Sequence, residues 1–483
     1  MTAKNFLKVL LIILTFVCHS GYAHSGKARY HIIIDSDCAA DDLRTICMLL
    51  GNREIEVLAI TSSEGALIPT MGAQRIASLL DEFHHQGIDV GAGRAVNSAT
   101  PAWRKHSEQI IWGKGHNVHT ISSAVEVLQK SIESESEPVT IIALGALTNI
   151  ADLLQTKPSI QKRIERIVWY NDISNPPSGC NYVTDPISAR KVMQSKIPMT
   201  IISSDHGTMT LQEALLASIA EVENRYANKI VASHTSTPLQ KLVKENHLKC
   251  WDDLVAISLF APQLFSVEKI NPTLEIWRLS NELQSEAEQC IVDILRGKTD
   301  SESRVFFGFP TDNTLYAEDV KPIIVEAIHR HGNSEWRAAV LTNELHGHLG
   351  IYATIGVKMG IRAREYFNIG VDDIEVVSSA GSRPPISCMN DGLQVATGAS
   401  IGHGLIKVPP TKHPVAEAQF SFKGKSICLQ LKPEYIEQID NDVKQAIALH
   451  GNLTEAYWQA IRQLAIGYWL NLDRNEIFTL HEL

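Results

Sequence analysis

Residues 30–42 read Y-H-I-I-I-D-S-D-C-A-A-D-D. Tyr30 to Asp35 is a short apolar run with three consecutive isoleucines. It has no polar face, so it fits a strand covered on both sides, as in a parallel sheet. Helical spacing follows from Asp41 to Leu50, with Asp41 and Asp42 in the first turn, where carboxylates suit the helix dipole. The alternation then repeats. Strands are expected at Glu56–Thr61, Val139–Leu144, Ile167–Tyr170 and Met199–Ser203, with helices at Gly72–Phe83, from Leu147, and at Pro186–Met193. This order specifies an α/β fold, a mostly parallel sheet with helices on both faces. In such sheets ligands bind beyond the carboxyl ends of the strands.

The acidic turn lies at such an end. Asp35, Asp37, Asp41 and Asp42 put four carboxylates within eight residues. Their mutual repulsion is costly without a cation, and oxygen-only donors favour a hard ion, calcium or magnesium. The plainer alternative is an acidic helix cap with solvated neighbours.

Composition narrows the function classes. The 483 residues are 44% apolar and 20% charged, ordinary for a globular protein and long enough for two domains. A formal net charge of −10 argues against a nucleic-acid partner, which needs a basic face, but not against an uncharged nucleoside. At the N-terminus, Lys4 and Lys8 precede an apolar run from Val9 to Val17, and Gly21-Tyr22-Ala23 supplies small residues for cleavage. This predicts a signal peptide over residues 1–23 and a periplasmic or secreted protein with no membrane contact after cleavage. The run is shorter than the roughly 20 residues a span requires. Seven cysteines outside this segment are scattered without a C-x-x-C pair, so neither a disulfide framework nor a zinc ribbon is indicated.

The pattern changes after about residue 330. His329 to Asn333 is polar and glycine-bearing, which predicts a linker between residues 29–331 and a smaller α+β domain at 334–483. There a helix is expected over Ile351–Phe367 and a strand over Ile374–Val377, with a mostly helical close from Pro433 to Leu470.

Four stretches resemble, in order, the signatures of the inosine/uridine-preferring nucleoside hydrolases. They are Asp35 to Asp42 (D-x-D-x-G-x-D-D), Leu144 to Ala151 (L-G-P-L-T-N-I-A), Asn181 to Pro186 (N-x-x-x-D-P) and Trp251 to Ala256 (H-D-P-L-A-V). The resemblance implies a calcium-assisted hydrolysis of the N-glycosidic bond. It implies calcium held by Asp37, Asp42, the main-chain carbonyl of Thr148 and Asp252. Asp37 would be the general base, and Asp41 and Asn181 would bind ribose hydroxyls. Trp251 stands where the nonspecific members carry histidine, which implies indole stacking on a purine; Trp112 is a second stacking candidate. Departures also occur. Cys38 and Ala39 replace proline and glycine, Ala66 replaces a ribose-contacting asparagine, and Gly179 stands where a glutamate grips the ribose. Glu64 reads as an exposed loop residue. His116, His119, His206 and His247 read as surface or hydrogen-bonded histidines rather than catalysts.

The last third resembles the E-protein family of formylmethanofuran dehydrogenase, through His346-Gly347-His348, Cys388-Met389-Asn390-Asp391, Thr397-Gly398 and Gly402-His403-Gly404. Histidine and cysteine suit zinc, so His346, His348 and Cys388 are a candidate three-ligand zinc site. Gly350 and Ser400 replace two cysteines of the family pattern. The alternative is that H-G-H closes a helix and binds no metal. The reading is therefore an exported nucleoside hydrolase with purine preference and an accessory metal-binding domain, and an assembly of identical chains is compatible with it. The competing reading is a protein that captures a nucleoside-like ligand without turnover, its chemistry lying in the C-terminal domain.

Overall fold

The computed structural model describes residues 28–114, 120–171, 178–204, 209–237, 239–297, 305, 309–371 and 374–483. The expected signal peptide and His116, His119 and His206 lie outside these residues. The first sheet comprises β1 (Tyr30–Ser36), β2 (Ile55–Ser62), β3 (Asp89–Ala92), β4 (Ser122–Ser123), β5 (Val139–Ala143), β6 (Ile164–Tyr170), β7 (Met199–Ser203), β8 (Phe265–Asn271) and β9 (Leu274–Leu279). Their order is β4-β3-β2-β1-β5-β6-β7-β9-β8. All neighbours pair in parallel except the β8–β9 hairpin at one edge.

The isoleucine run explains why β1 is central. Ile32 and Ile34 enter one core, with helices Ala40–Gly51, Arg225–Thr235, Asp253–Phe260 and Gln284–Leu295. Ile33 enters the opposite core, with helices Ala124–Ser134 and Thr148–Thr156. Side chains alternate along a strand, so a strand covered on both faces must be apolar at every position. From β1 the chain winds outward through β2, β3 and β4, then returns to β1's other side as β5. That reversal opens a crevice beyond the carboxyl ends of β1 and β5, the place where such sheets bind ligands.

The second sheet comprises β10 (Glu375–Ser378), β11 (Ile406–Lys407), β12 (Glu417–Phe422), β13 (Lys425–Leu431) and β14 (Phe478–Glu482), in the order β11-β10-β12-β13-β14. Helices Ile324–His346, Ile351–Phe367, Met389–Thr397, Pro433–His450 and Glu455–Asn471 accompany it around a separate core, in which Trp336 stacks on Trp469. That core already includes Val320, Ile323, Ile324 and Ala327, upstream of the stretch expected as linker. Residues 329–333 continue a helical segment kinked at Gly332, whose φ of 84° only glycine adopts freely.

The two domains meet at the amino-terminal ends of β1 to β3. Lys423, in the β12–β13 turn, bonds Glu56 and Glu135 and lies 3.5 Å from His31 Nδ1. Lys425 Nζ donates to the Gly87 carbonyl and pairs with Asp89, and the Gly87 amide donates to the Tyr366 carbonyl. His31 and Asp37 stand six residues apart at opposite ends of β1, so this contact lies roughly 20 Å from the acidic turn.

Candidate active site

β1 carries Asp35 and Ser36 to the carboxyl edge, and three residues then turn the chain into helix Ala40–Gly51. Cys38, buried, takes a left-handed φ of 68°, which a proline could not adopt. Asp42 organises the turn. Its Oδ1 accepts from the Asp37 and Cys38 amides at 3.1 and 3.2 Å and from Ser36 Oγ at 2.5 Å, and its Oδ2 accepts from the Ala39 amide at 3.1 Å. Asp42 thus completes the cap of this helix, but the solvated neighbours of the helix-cap alternative are not found: Asp35 and Asp37 are buried.

Asp41, Asp42 and Asp252 bring carboxylate oxygens within 4.8 Å of one another. Asp252 arrives from far along the chain, just before helix Asp253–Phe260, and its amide lies 3.4 Å from Asp41 Oδ2. Asp252 Oδ1 is buried without a hydrogen-bond partner. The two helices are tied together behind the cluster. Arg44 Nε and Nη2 donate to Asp253 Oδ1 and Oδ2 at 2.9 and 2.6 Å, and Nη2 also reaches the Lys249 carbonyl at 2.6 Å. His234 completes the nest. Burial and then Arg44 push it down to about 3, so it stays neutral, with Nε2 accepting from Arg44 and Nδ1–H donating to the Ile230 carbonyl.

Burial, then the charges of neighbouring aspartates, hold Asp37 and Asp252 well above the usual carboxylate range. Burial also pushes Asp41 up to about 7 against the pull of Arg44. Asp35, bonded by Thr61 Oγ1 and Asn149 Nδ2 at 2.5 and 2.7 Å, is likewise pushed up to about 7 by burial. A divalent cation relieves that repulsion. Three converging carboxylates with an unpartnered buried oxygen fit a hard, oxygen-seeking ion such as calcium.

The carboxylates that converge within 4.8 Å include two of the expected calcium ligands, Asp42 and Asp252. Asp41, expected on ribose, is one of the three converging carboxylates; Asp37, expected in the calcium set, lies beside them, close enough for their charges to raise it and for the Ala66 and Ala39 amides to oppose that rise. Thr148 opens the helix after β5 on the same edge, fully buried, its hydroxyl donating to Asp185 at 2.9 Å. Asn181 is buried nearby, but its Nδ2 is committed to the Leu144 and Tyr170 carbonyls at 2.8 and 3.0 Å, clamping the ends of β5 and β6.

Residues 32–319 match the family model described as inosine-uridine preferring nucleoside hydrolase. The chain belongs to this family. Residues 345–479 match a second model, described as FmdE, molybdenum formylmethanofuran dehydrogenase operon. Among curated proteins, the pyrimidine-specific ribonucleoside hydrolase RihA of Escherichia coli O1:K1 is 30% identical over 186 residues, 36% of this chain and 60% of that protein. The Escherichia fergusonii protein of the same name is 31% identical over 186 residues. The matched region thus spans about 60% of the length of these relatives. Among solved structures, the inosine-uridine preferring nucleoside hydrolase from Bacillus anthracis aligns with a TM-score of 0.43 and 17% identity, over 55% of this chain and 99% of that one. The purine-preferring ribonucleoside hydrolase from Gardnerella vaginalis aligns with a TM-score of 0.42 and 18% identity, with the same coverages.

The aromatic candidates separate within this nucleoside hydrolase domain. Trp251 is half-buried and stacks on Tyr170 with centroids 5.9 Å apart and planes at 16°, so one indole face is covered. Trp112 is fully buried and packs in the core; it is not a stacking surface. Glu64, expected to be exposed, is buried and paired with Arg104 at 2.6 Å. Sequence reading missed Arg104 altogether. His247 is exposed, as expected.

The zinc set of the C-terminal domain does not assemble: His346, His348 and Cys388 do not bring three ligand atoms within 4.8 Å of one another. His346 and His348 face each other with ring centroids 4.4 Å apart, and the HGH motif does close helix Ile324–His346, with Gly347 in the left-handed region. His346 Nδ1 is bonded to Asp391 at 2.7 Å, while its buried Nε2 has no partner. A β-carbon at Gly350 would lie 3.1 Å from that Nε2, so the replaced family cysteine removes a donor beside it.

Proposed function

We propose that the first domain, matched over residues 32–319, hydrolyses the N-glycosidic bond of ribonucleosides to ribose and free base, with calcium bound at the acidic crevice. The observation that carries this reading is the convergence of Asp41, Asp42 and Asp252 beside Asp37 at the sheet's switch point. Calcium bound there would supply the positive charge that acidifies a water and orients ribose hydroxyls. Asp37, buried beside the cluster, takes the proton from the attacking water. Cleavage develops oxocarbenium character in the sugar, which the surrounding carboxylates stabilise. The base stacks against the indole of Trp251, the residue before Asp252, which favours purines. The test is release of free base from a panel of purine and pyrimidine ribosides in the presence of calcium. Release by the wild type and its loss in Asp37→Asn support the reading; release undiminished by that substitution rejects Asp37 as base.

A second reading is capture of a nucleoside-like ligand without turnover. The committed amide of Asn181, together with Ala66 and Gly179 at positions of family ribose contacts, favours it. Equilibrium binding of ribosides with no base released across the panel would select it. We further propose export by residues 1–23, checked by N-terminal sequencing of the protein recovered outside the cytoplasm. For the C-terminal domain we propose an incomplete zinc site centred on His346.

A further inference from the structure

The turn that follows β2 crosses directly over Asp37. The Leu67 amide donates to the Asp37 carbonyl at 2.9 Å. The backbone of this turn is so close that a β-carbon at Gly65 would fall 2.0 Å from Asp37 Oδ2. A turn in such contact sets where the carboxylate points, and something must hold the turn in place.

Arg104 does so from outside. Its Nε and Nη2 donate to the Gly65 carbonyl at 3.1 and 2.5 Å, and Nη2 also bonds Glu64 Oε1 at 2.6 Å. Both partners are largely shielded from water, so these charge-assisted bonds are little weakened by solvent. The arginine comes from the segment after β3, whose next helical residues are fixed by the Glu108 amide on the Arg104 carbonyl and by Arg75 on the Glu108 carbonyl.

We propose that Arg104 is a positioning residue for the hydrolytic step: it clamps the Gly65–Ala66 turn and thereby fixes the Asp37 carboxylate. This rests on Asp37 acting as the base. Misplacing a reacting group by about 1 Å costs up to a hundredfold in rate, so a loosened turn lowers kcat more than it raises KM.

The experiment uses the full chain with calcium, comparing wild type with Arg104→Met, Arg104→Lys and Glu64→Gln. The readouts are riboside kinetics and hydrogen–deuterium exchange of the peptide spanning residues 60–68. Arg104→Met is expected to lower kcat about tenfold or more with KM changed less than about threefold, and to speed exchange of the Leu67 amide. Arg104→Lys keeps one donor for the Gly65 carbonyl and recovers part of both losses. Glu64→Gln leaves the Gly65 clamp and stays near wild type. Unchanged exchange in Arg104→Met overturns the proposal, and so does faster exchange with unchanged kcat. If Arg104→Met fails to fold, Arg104→Lys decides by the same two readouts. Should the wild type release no base from any riboside, the hydrolase reading fails, and the positioning role fails with it; the exchange data then report the clamp alone.

Discussion

Arg44 and Asp253 form a bidentate ion pair with both side chains buried, joining the helix that carries Asp41 and Asp42 to the helix that follows Asp252. The pair stands behind the acidic cluster and brings together residues more than two hundred positions apart. Removing one partner leaves the other charged and desolvated. Arg44→Met is therefore expected to destabilise the protein by about 3–5 kcal/mol, whereas joining it with Asp253→Leu recovers most of that loss. Urea unfolding of the two variants checks this. A single variant within about 1 kcal/mol of wild type would show that the pair does not bind the two helices together.

Trp251 directly precedes Asp252, and the proposed function places its side chain against the base of the riboside. A two-ring base covers more of an indole than a one-ring base, and base–aromatic stacking is worth roughly 1–3 kcal/mol. Inosine should be preferred to uridine in kcat/KM by about tenfold, and Trp251→Ala should erase most of the preference. Parallel kinetics with both ribosides measure it. Equal use of both by the wild type places selectivity elsewhere, as does a variant with unchanged preference.

What the sequence made legible follows from locality. Ile32 to Ile34 could only be a strand covered on both faces, and both cores confirm it. The aspartate cluster was visible because Asp35 to Asp42 are neighbours along the chain. The divergence began where folding decided the partners. That Asp252 comes to lie within 4.8 Å of Asp41 and Asp42 depends on a contact more than two hundred residues along the chain. Glu64 reads as solvated until Arg104, forty residues later, is seen to cover it. Lys423 meets His31, Glu56 and Glu135 across the domain boundary, and no window of sequence contains all four. Trp112 has no distinguishing neighbour in the sequence, and only its position in the core removes it from the site.

Gly350 offers a gain-of-function test in the C-terminal domain. His346 already has the arrangement that favours a metal-bound imidazole, with Nδ1 on a carboxylate and Nε2 unpartnered. Gly350→Cys adds a thiolate beside that nitrogen and should raise zinc affinity by about tenfold or more, an effect that His346→Ala abolishes. Calorimetric zinc titration of the full chain measures it. No gain in the cysteine variant would mean that the motif serves only to end the helix.

The latch between the domains carries a pH signature. Burial alone would lower His31, but its hydrogen bonds to Glu135 and Glu56 and their charges outweigh it and raise the imidazole to about 9. Lys423, 3.5 Å away, is the other charged group at this cluster. A folded-state value above the unfolded 6.5 means that His31 contributes fully below about pH 6.5, and that the contribution fades as pH rises through about 9. Its size is at most about 3 kcal/mol. Denaturation midpoints measured from about pH 6.5 to about 9.5 should fall, and His31→Gln should flatten the decline. A parallel decline in both proteins would assign it to other groups.

Riboside cleavage should depend above all on one calcium site formed by the carboxylates of Asp41, Asp42 and Asp252. The direct measurement sets the rate of base release from inosine against buffered free calcium, with calcium binding followed in the same samples. The expected result is one strong site per chain, a rate that rises in step with its occupancy and vanishes with a chelator, and loss of both in Asp252→Asn. Base release that persists undiminished after calcium is chelated away would contradict it.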